Sequence, residues 1–281
     1  SIEDMIPDEQ VVITLSHAGY IKRTSLTEYK TQNRGGVGQK GSTTRNEDFL
    51  EHLFVGTNHQ YILFFTQKGK CFWMRVYEIP EGSKTSKGRA IQNLINIEQD
   101  DKVKAFICTK DLKDNDYINS HVVIMATKKG VVKKTSLEQY SRPRQNGINA
   151  ITIREEDELL EAKLTTGNSQ ILLAVKSGKA IRFEESKTRP MGRNASGVRG
   201  ITLADDHDEV IGMVSVNNLD DHILVVSENG YGKRTYLDDP EDGEAVYRIT
   251  NRGGKGVKTM SITEKTGALV AIKNVSDEDD L

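Results

Sequence analysis

The sequence predicts an all-β chain built as a propeller-like ring of four-stranded blades, and three observations carry that expectation. Five stretches align with one another: SHAGYIKRTSL from Ser16, TQKGKCFWMRV from Thr66, TKKGVVKKTSL from Thr127, VKSGKAIRFEE from Val175 and SENGYGKRTYL from Ser227. Their shared glycines, Gly19, Gly69, Gly130, Gly178 and Gly230, recur at intervals of 50, 61, 48 and 52 residues. Each stretch follows a β-branched apolar run and leads, through a glycine-containing loop, to another such run. One small sheet cannot cover its own apolar faces, so units repeated at this period stack side by side.

The elements of a unit follow in order. The runs VVITLS, YILFFT, VVIMAT, ILLAV and ILVVS are first strands. The x-x-G that follows turns the chain, since glycine takes the positive φ of a tight hairpin, and a second strand carrying Lys or Arg returns. Short segments come next: GRAIQNLI from Gly88, GINAITI from Gly147, GVRGITL from Gly197 and GKGVKTMSI from Gly254. The closing strands are FLEHLFVGT, KVKAFICT, LLEAKLTT, EVIGMVSV and ALVAIKNV. The segment EEDELLEAKL has helical propensity on its own, but its alignment with four β-rich partners makes it a strand. The blades fall near 11–57, 60–109, 120–166, 170–216 and 222–275, in one domain over 1–281. A sixth is expected to be truncated or absent, and a β-solenoid or a pair of sandwiches is the weaker architecture.

Apolar residues make up 36% and charged residues 28% of the 281, which suits a soluble globular protein. No apolar run approaches the ~18 residues of a membrane span, and no export leader is visible. Cys71 and Cys108 lie far apart, and both are expected to be buried small apolar groups of a reduced, cytosolic protein. The ends, SIEDMIP and DEDDL, read as cuts from a longer polypeptide. The six histidines show no metal-ligand spacing, and no metal site is expected.

The net charge of −2 hides a strong pattern. Residues 19–45 hold six Lys/Arg against one acid, 68–89 six against two, 128–144 six against one and 176–199 seven against two. Only 228–258, with its DDPEDGE insert, is neutral, and acids gather elsewhere in EEDE, DDHDE and DEDD. Equivalent windows fall at equivalent places around a ring. The cations therefore form one basic band, a track for a polyanion such as duplex DNA. Candidates after the hairpin glycines are Lys22, Arg23, Lys133, Lys134, Arg182, Lys233 and Arg234. From the loops come Lys40, Arg45, Arg142, Arg144, Arg193, Arg199, Arg252 and Lys255. Trp73 breaks the series in the second unit and is expected to pack.

The loop QNRGGVGQKGSTTR, from Gln32, contains a formal G-x-G-x-x-G at Gly36, Gly38 and Gly41. A dinucleotide site needs a strand before it and a helix opening inside it, and a P-loop needs Gly-Lys-Ser/Thr; neither context is present. Consecutive glycines with Arg34, Lys40 and Arg45 suit a phosphate backbone better. A structural glycine bulge is the alternative. TNRGGKG at 250–256 repeats QNRGGVG at 32–38 in five of seven positions.

These residues resemble the gyrase-A box, a Q-R-R-G-G-K/R-G heptapeptide, and the whole chain is similar to the C-terminal domain of the A subunit of bacterial DNA gyrase. The box maps onto Gln32, Asn33, Arg34, Gly35, Gly36, Val37 and Gly38. Asn33 and Val37 replace usual cations, and the second copy keeps Lys255 but has Thr250 for Gln. The resemblance implies a β-pinwheel whose neighbouring blades exchange a strand, and a basic rim that wraps duplex DNA without reading sequence. It implies no catalytic residue and no cofactor in this piece, because the DNA-cleaving tyrosine belongs to the N-terminal region of that protein. ATP and Mg2+ serve the whole enzyme, an A2B2 assembly with gyrase B, in the bacterial cytoplasm with the chromosome. The related topoisomerase IV A-subunit domain ranks second, and a protein-interaction propeller is the reading from another class.

Overall fold

The computed structural model describes residues 1–34, 48–239, 241 and 246–276, with residues 32–34 described in their main chain alone. The strands are β1 (Gln10–Ser16), β2 (Tyr20–Ser25), β3 (Leu50–Thr57), β4 (Tyr61–Thr66), β5 (Lys70–Arg75), β6 (Arg89–Ala90), β7 (Val103–Thr109), β8 (Val122–Thr127), β9 (Val131–Ser136) and β10 (Ile148–Asn149). They continue with β11 (Leu159–Thr165), β12 (Gln170–Val175), β13 (Lys179–Glu184), β14 (Val198–Arg199), β15 (Val210–Val216), β16 (His222–Ser227), β17 (Gly232–Tyr236), β18 (Val257–Lys258) and β19 (Leu269–Val275). Among the described residues two α-helices interrupt them, α1 (Leu26–Arg34) and α2 (Asn115–Ser120). α2, capped by the Asp114 side chain, lies in the longer connection that makes the second interval 61 residues.

The strands form five antiparallel sheets: β3-β1-β2-β6, β10-β5-β4-β7, β11-β8-β9-β14, β15-β12-β13-β18 and β17-β16-β19. This is the expected all-β ring of blades. In the first four, the outermost two-residue strand comes from the following repeat: Tyr20 pairs with Ala90, Cys71 with Ile148, Val132 with Val198 and Lys179 with Lys258. Each unit therefore completes the one before it. Among the described residues, the fifth sheet has three strands.

The opposite edges, β3, β7, β11, β15 and β19, face the centre: β7 packs on β11, β11 on β15, β15 on β19, and Phe54 of β3 meets Phe106 of β7. Every innermost strand slips register once near its start, as at Leu15/Ser16 against β3. That bulge curls the strand around the axis.

The core lies between blades rather than inside one. Ile13 and Ile21 of the first blade pack on Phe64 and Phe72 of the second. Leu63 and Trp73 of the second pack on Met125 and Leu137 of the third. Ile124 and Val132 meet Leu173 and Phe183, and Leu172 and Ala180 meet Val225 and Leu237. Sheets covered on both faces favour β-branched and aromatic runs, which is why YILFFT shows so little alternation. Leu159–Thr165 is a strand, as the repeat required.

The hairpin turns explain two sequence features. Gly69 has φ +90°, and a Cβ there would lie 2.4 Å from the Ile151 carbonyl oxygen, so no side chain fits. The acidic runs are in part turn caps: Asp48 accepts from the Ala18 amide, Asp101 from Lys68, Asp157 from Lys129 and Asp208 from Ser177. Cys71 is buried as expected, whereas Cys108 is only half-buried, because it stands on an innermost strand facing the axial cavity.

Candidate nucleic-acid interface

The outer edge of each of the first four blades is made by two units. Beyond its hairpin, a unit sends a loop along the second strand of the preceding blade before adding the short outermost strand. The approach is marked by bridges between Arg23 and Glu81, Lys134 and Pro190, and Arg182 and Ile249. Main-chain bonds hold it: Arg23 N–H to Pro80, Met191 N–H to Lys134 and Thr250 N–H to Arg182.

The residue four places after the hairpin glycine points beneath this loop and donates to its carbonyls. Arg23 Nη2 donates to the Tyr77 carbonyl at 3.2 Å, and Nη1 to the Glu81 carboxylate at 2.9 Å. Trp73 Nε1 donates to the Tyr140 carbonyl at 2.9 Å, Lys134 Nζ to that of Glu185 at 3.1 Å and Arg182 Nη1 to that of Tyr247 at 2.8 Å. Trp73 thus performs in the second blade what a cation performs elsewhere. The residue three places after the glycine is Lys22, Phe72, Lys133 and Ile181 in the first four units. Lys22 Nζ donates to the carbonyls of Ser83, Lys84 and Ser86 at 2.6–2.8 Å. Lys133 Nζ donates to those of Ala150 and Arg193, both at 2.6 Å. Burial lowers the Lys22 pKa, and burial beside the Arg193 guanidinium lowers that of Lys133 to about 7.

This placement corrects the expected list of phosphate contacts. Lys133, Lys134 and Arg182 are 0%, 5% and 2% exposed, so their charges do not face solvent. Lys22 and Arg23 are half-buried, with Lys22 Nζ and both Arg23 Nη atoms bonded to the next unit's loop. A long side chain beside a glycine turn looks like surface in a sequence, but the covering loop comes from some 60 residues away. Lys233 and Arg234, at the same places in the fifth unit, are exposed, and Arg234 Nε meets His222 Nδ1 at 2.7 Å.

The loops themselves carry the accessible charge. Arg142, Arg144, Arg199 and Lys255 are exposed, and Arg193 and Arg252 half-buried. Arg142 pairs with Glu138 at 2.6 Å. Exposed cations outside the expected list join them: Lys87, Arg89, Lys187, Arg189, Arg248 and Lys258. Arg89, Arg199 and Lys258 occupy the outermost strands themselves. The basic windows are visible in the sequence, but which members face outward depends on strand exchange.

Neighbouring loops also touch each other, making one belt. Asn96 bonds Asn146, Asn149 bonds Asn194, Arg154 reaches the Gly197 carbonyl and Arg252 reaches that of Arg199. In the fifth-unit box, Gly253 N–H donates to Gly200 at 2.7 Å, and Thr202 N–H donates to Gly254 at 2.8 Å. Gly256 has φ +77°, and a Cβ there would sit 2.4 Å from the Ala180 carbonyl oxygen. Gly253 and Gly256 therefore let the loop lie against its neighbours, which favours the structural part of the box reading. The first box begins in α1 with Gln32, Asn33 and Arg34, whose side chains are not described. Gly35, Gly36, Val37, Gly38, Lys40 and Arg45 lie outside the described residues.

A family model described as the DNA gyrase C-terminal domain, beta-propeller, matches residues 10–56, 60–110, 121–166, 170–217, 221–239 and 244–276. The chain belongs to the DNA gyrase C-terminal domain family. The gyrase A protein of Staphylococcus aureus strain NCTC 8325 is 47% identical to it over 280 residues, covering 99% of this chain and 30% of that protein. The chain thus spans under a third of the length of the curated relatives it matches. Among solved structures, a C-terminal domain of DNA topoisomerase IV aligns over 97% of this chain and 80% of its own, at 25% identity and a TM-score of 0.75. A DNA gyrase A C-terminal domain aligns over 96% and 84%, at 25% identity and a TM-score of 0.71. The E. coli ParC C-terminal domain, at 13% identity and a TM-score of 0.65 over 95% of this chain and 99% of its own, shares the fold. No helix among the described residues of this gyrase-family chain is long and apolar enough to cross a membrane.

Proposed function

We propose that this gyrase-family domain binds duplex DNA without reading its sequence and bends it along the outer edge of the ring. The observation that carries this reading is the belt of exposed cations on the outermost strands and their loops, Arg89, Arg199 and Lys258 at its middle. Backbone charge is what such a belt recognises, since phosphate contacts position a duplex without selecting bases. Bending 20–30 base pairs by 40–90° costs about 1–6 kcal/mol, which counterion release must offset. With about two phosphate contacts per blade, ~10 in all, the log–log salt slope is near −9.

In the whole enzyme, we propose that the wrap presents a neighbouring DNA segment to the cleavage gate formed by the N-terminal region of the gyrase A protein. Together with gyrase B in an A2B2 assembly, ATP and Mg2+ would then drive negative supercoiling in the cytoplasm. This domain contributes the path of the DNA and no bond chemistry. Its test is a nicked plasmid sealed by ligase in the presence of the chain. The expected result is a shift in linking number that grows with protein concentration; an unchanged linking number overturns wrapping and leaves a protein-interaction propeller.

Membership of a topoisomerase IV is the second reading, favoured by the TM-score of 0.75. The 47% identity to gyrase A and the two box-like motifs favour gyrase. Relaxed plasmid with the complete enzyme and ATP separates them, because only a gyrase leaves it negatively supercoiled.

A further inference from the structure

We infer that Lys22 and Lys133 are positioning residues for DNA binding: each amine, half-buried at Lys22 and fully buried at Lys133, anchors the next unit's cationic loop. The inference rests on the DNA-binding reading above. The amine of each is taken up by main-chain carbonyls, and each holds a loop whose other cations face solvent.

Among the residues three places after the hairpin glycines of the first four units, only these two donate to loop carbonyls. Lys22 Nζ has three carbonyl acceptors within a few residues, at Ser83, Lys84 and Ser86, so the loop closes around one nitrogen. The same loop places Lys84 and Lys87, the latter ammonium 4.0 Å above the Tyr20 ring, and then Arg89 on the outermost strand. Lys133 Nζ joins the Arg193 carbonyl, in the fourth unit's loop, to the Ala150 carbonyl in the third unit. Tyr140 Oη donates to that same Ala150 carbonyl at 2.8 Å. Arg189 and Arg193 leave from the loop so pinned, and Arg193 Nη1 spans to the Asn149 carbonyl at 3.0 Å.

Carbonyls turned inward on a short loop repel one another and lose their water. Lys22 satisfies three of them on one loop, and Lys133 ties one carbonyl of the covering loop to one of its own unit, where an orphaned carbonyl would be destabilising. The second and fourth units reach the same end differently. Phe72 and Ile181 take the place of lysine there, and the loops carry close-packed glycines over those strands, Gly147 against Phe72 and Gly256 against the main chain of Ala180 and Ile181. Removing the lysine should therefore free one loop while the hairpin beneath it stays folded.

The test uses the full 281-residue chain carrying Lys133→Met or Lys22→Met, read by amide hydrogen exchange and by the salt dependence of binding to a duplex of about 40 base pairs. Exchange in 188–197 should quicken at least about tenfold in the first variant and in 81–88 in the second, with β8–β9 or β1–β2 protection retained. The log–log salt slope should shrink by about 1–2 in each, as one or two phosphate contacts are lost. A merely structural lysine would lower the melting temperature and leave the slope of the folded protein unchanged. Unchanged loop exchange, or faster exchange with an unchanged slope, overturns the inference. Should Lys133→Met fail to fold, Lys22→Met decides, because its half-exposed site lies in the first blade. If the unsubstituted chain shows no salt-dependent binding, the DNA-binding reading itself fails, and with it the role assigned to both lysines.

Discussion

The third and fifth blades carry nearly the same hairpin, GVVKKTSL and GYGKRTYL, with opposite outcomes. In β9 both lysines are buried, and the loop of the next unit accepts their hydrogen bonds. In β17 the matching Lys233 and Arg234 are exposed, and the sheet has three strands among the described residues. The difference lies in the neighbour, since a following unit converts surface cations into buried clamps. A repeat motif thus fixes where a cation stands along a strand, while the partner loop decides whether it meets solvent.

Breaking this contrast should have its largest effect at Trp73. Trp73→Ala removes a packed aromatic between the second and third blades along with the bond to the Tyr140 carbonyl. The expected loss is about 3–5 kcal/mol, measured by urea unfolding. Arg182→Ala should follow, at about 3 kcal/mol, because it strips the buried clamp from Gln170, Asp238 and Tyr247. The equivalent Arg234→Ala, at an exposed position, should cost under about 1 kcal/mol. Equal losses at the two arginines would remove the basis of the comparison. Gly256→Ala should cost about 1–3 kcal/mol, since φ +77° and the Ala180 carbonyl both oppose a side chain. Gly254, whose added Cβ would meet nothing closer than Ile181 at 3.7 Å, should tolerate the change.

The smallest effect sharpens the comparison between Lys22 and Lys133. Two carbonyl acceptors match the two N–H bonds of a neutral amine, and the Arg193 guanidinium disfavours a second charge beside it. The charged and titratable groups facing Lys133 are Arg193, with Tyr140 of the third blade and Cys71 of the second beyond it. The folded protein releases this proton at about 7, against an ordinary 10.5 in the unfolded chain. Between those values the unfolded chain binds more protons, so stability from this group rises with pH, by at most about 1.4 kcal/mol per unit. Below pH 7 the penalty for burying the charge is present in full. Unfolding free energies measured from about pH 6 to 9 should rise less steeply in Lys133→Met; parallel curves would show that the amine stays charged.

The hairpins are legible in the sequence because glycine turns and β-branched runs are local signals repeated five times. The blade ring follows from the period, and the basic outer band from matched charge windows. The donated strands are not legible individually: Arg89–Ala90 and Ile148–Asn149 are too short for any alternation, and their pairing is settled by a sheet in another unit. For the same reason Lys133 and Arg182 look like surface residues until the covering loop is in place. A signal is present in the series Lys22, Phe72, Lys133, Ile181, since a position that alternates between cation and apolar residue is one that something covers. Trp73 carries a second signal, as a donor replacing a donor. Helix α1 is hidden because LTEYKTQNR is short, polar and without an apolar stripe, and runs straight into a glycine-rich loop.

The salt dependence of duplex binding in two triple variants tests the outer-edge path most directly. One variant removes the outermost-strand cations Arg89, Arg199 and Lys258; the other removes Lys110, Lys113 and Lys265, also exposed but outside those strands. A path along the outer edge predicts a slope smaller by about 2.7 in the first variant and an unchanged slope in the second. Equal losses in both would contradict it, for the duplex would then be following net charge and not the outer edge of the ring.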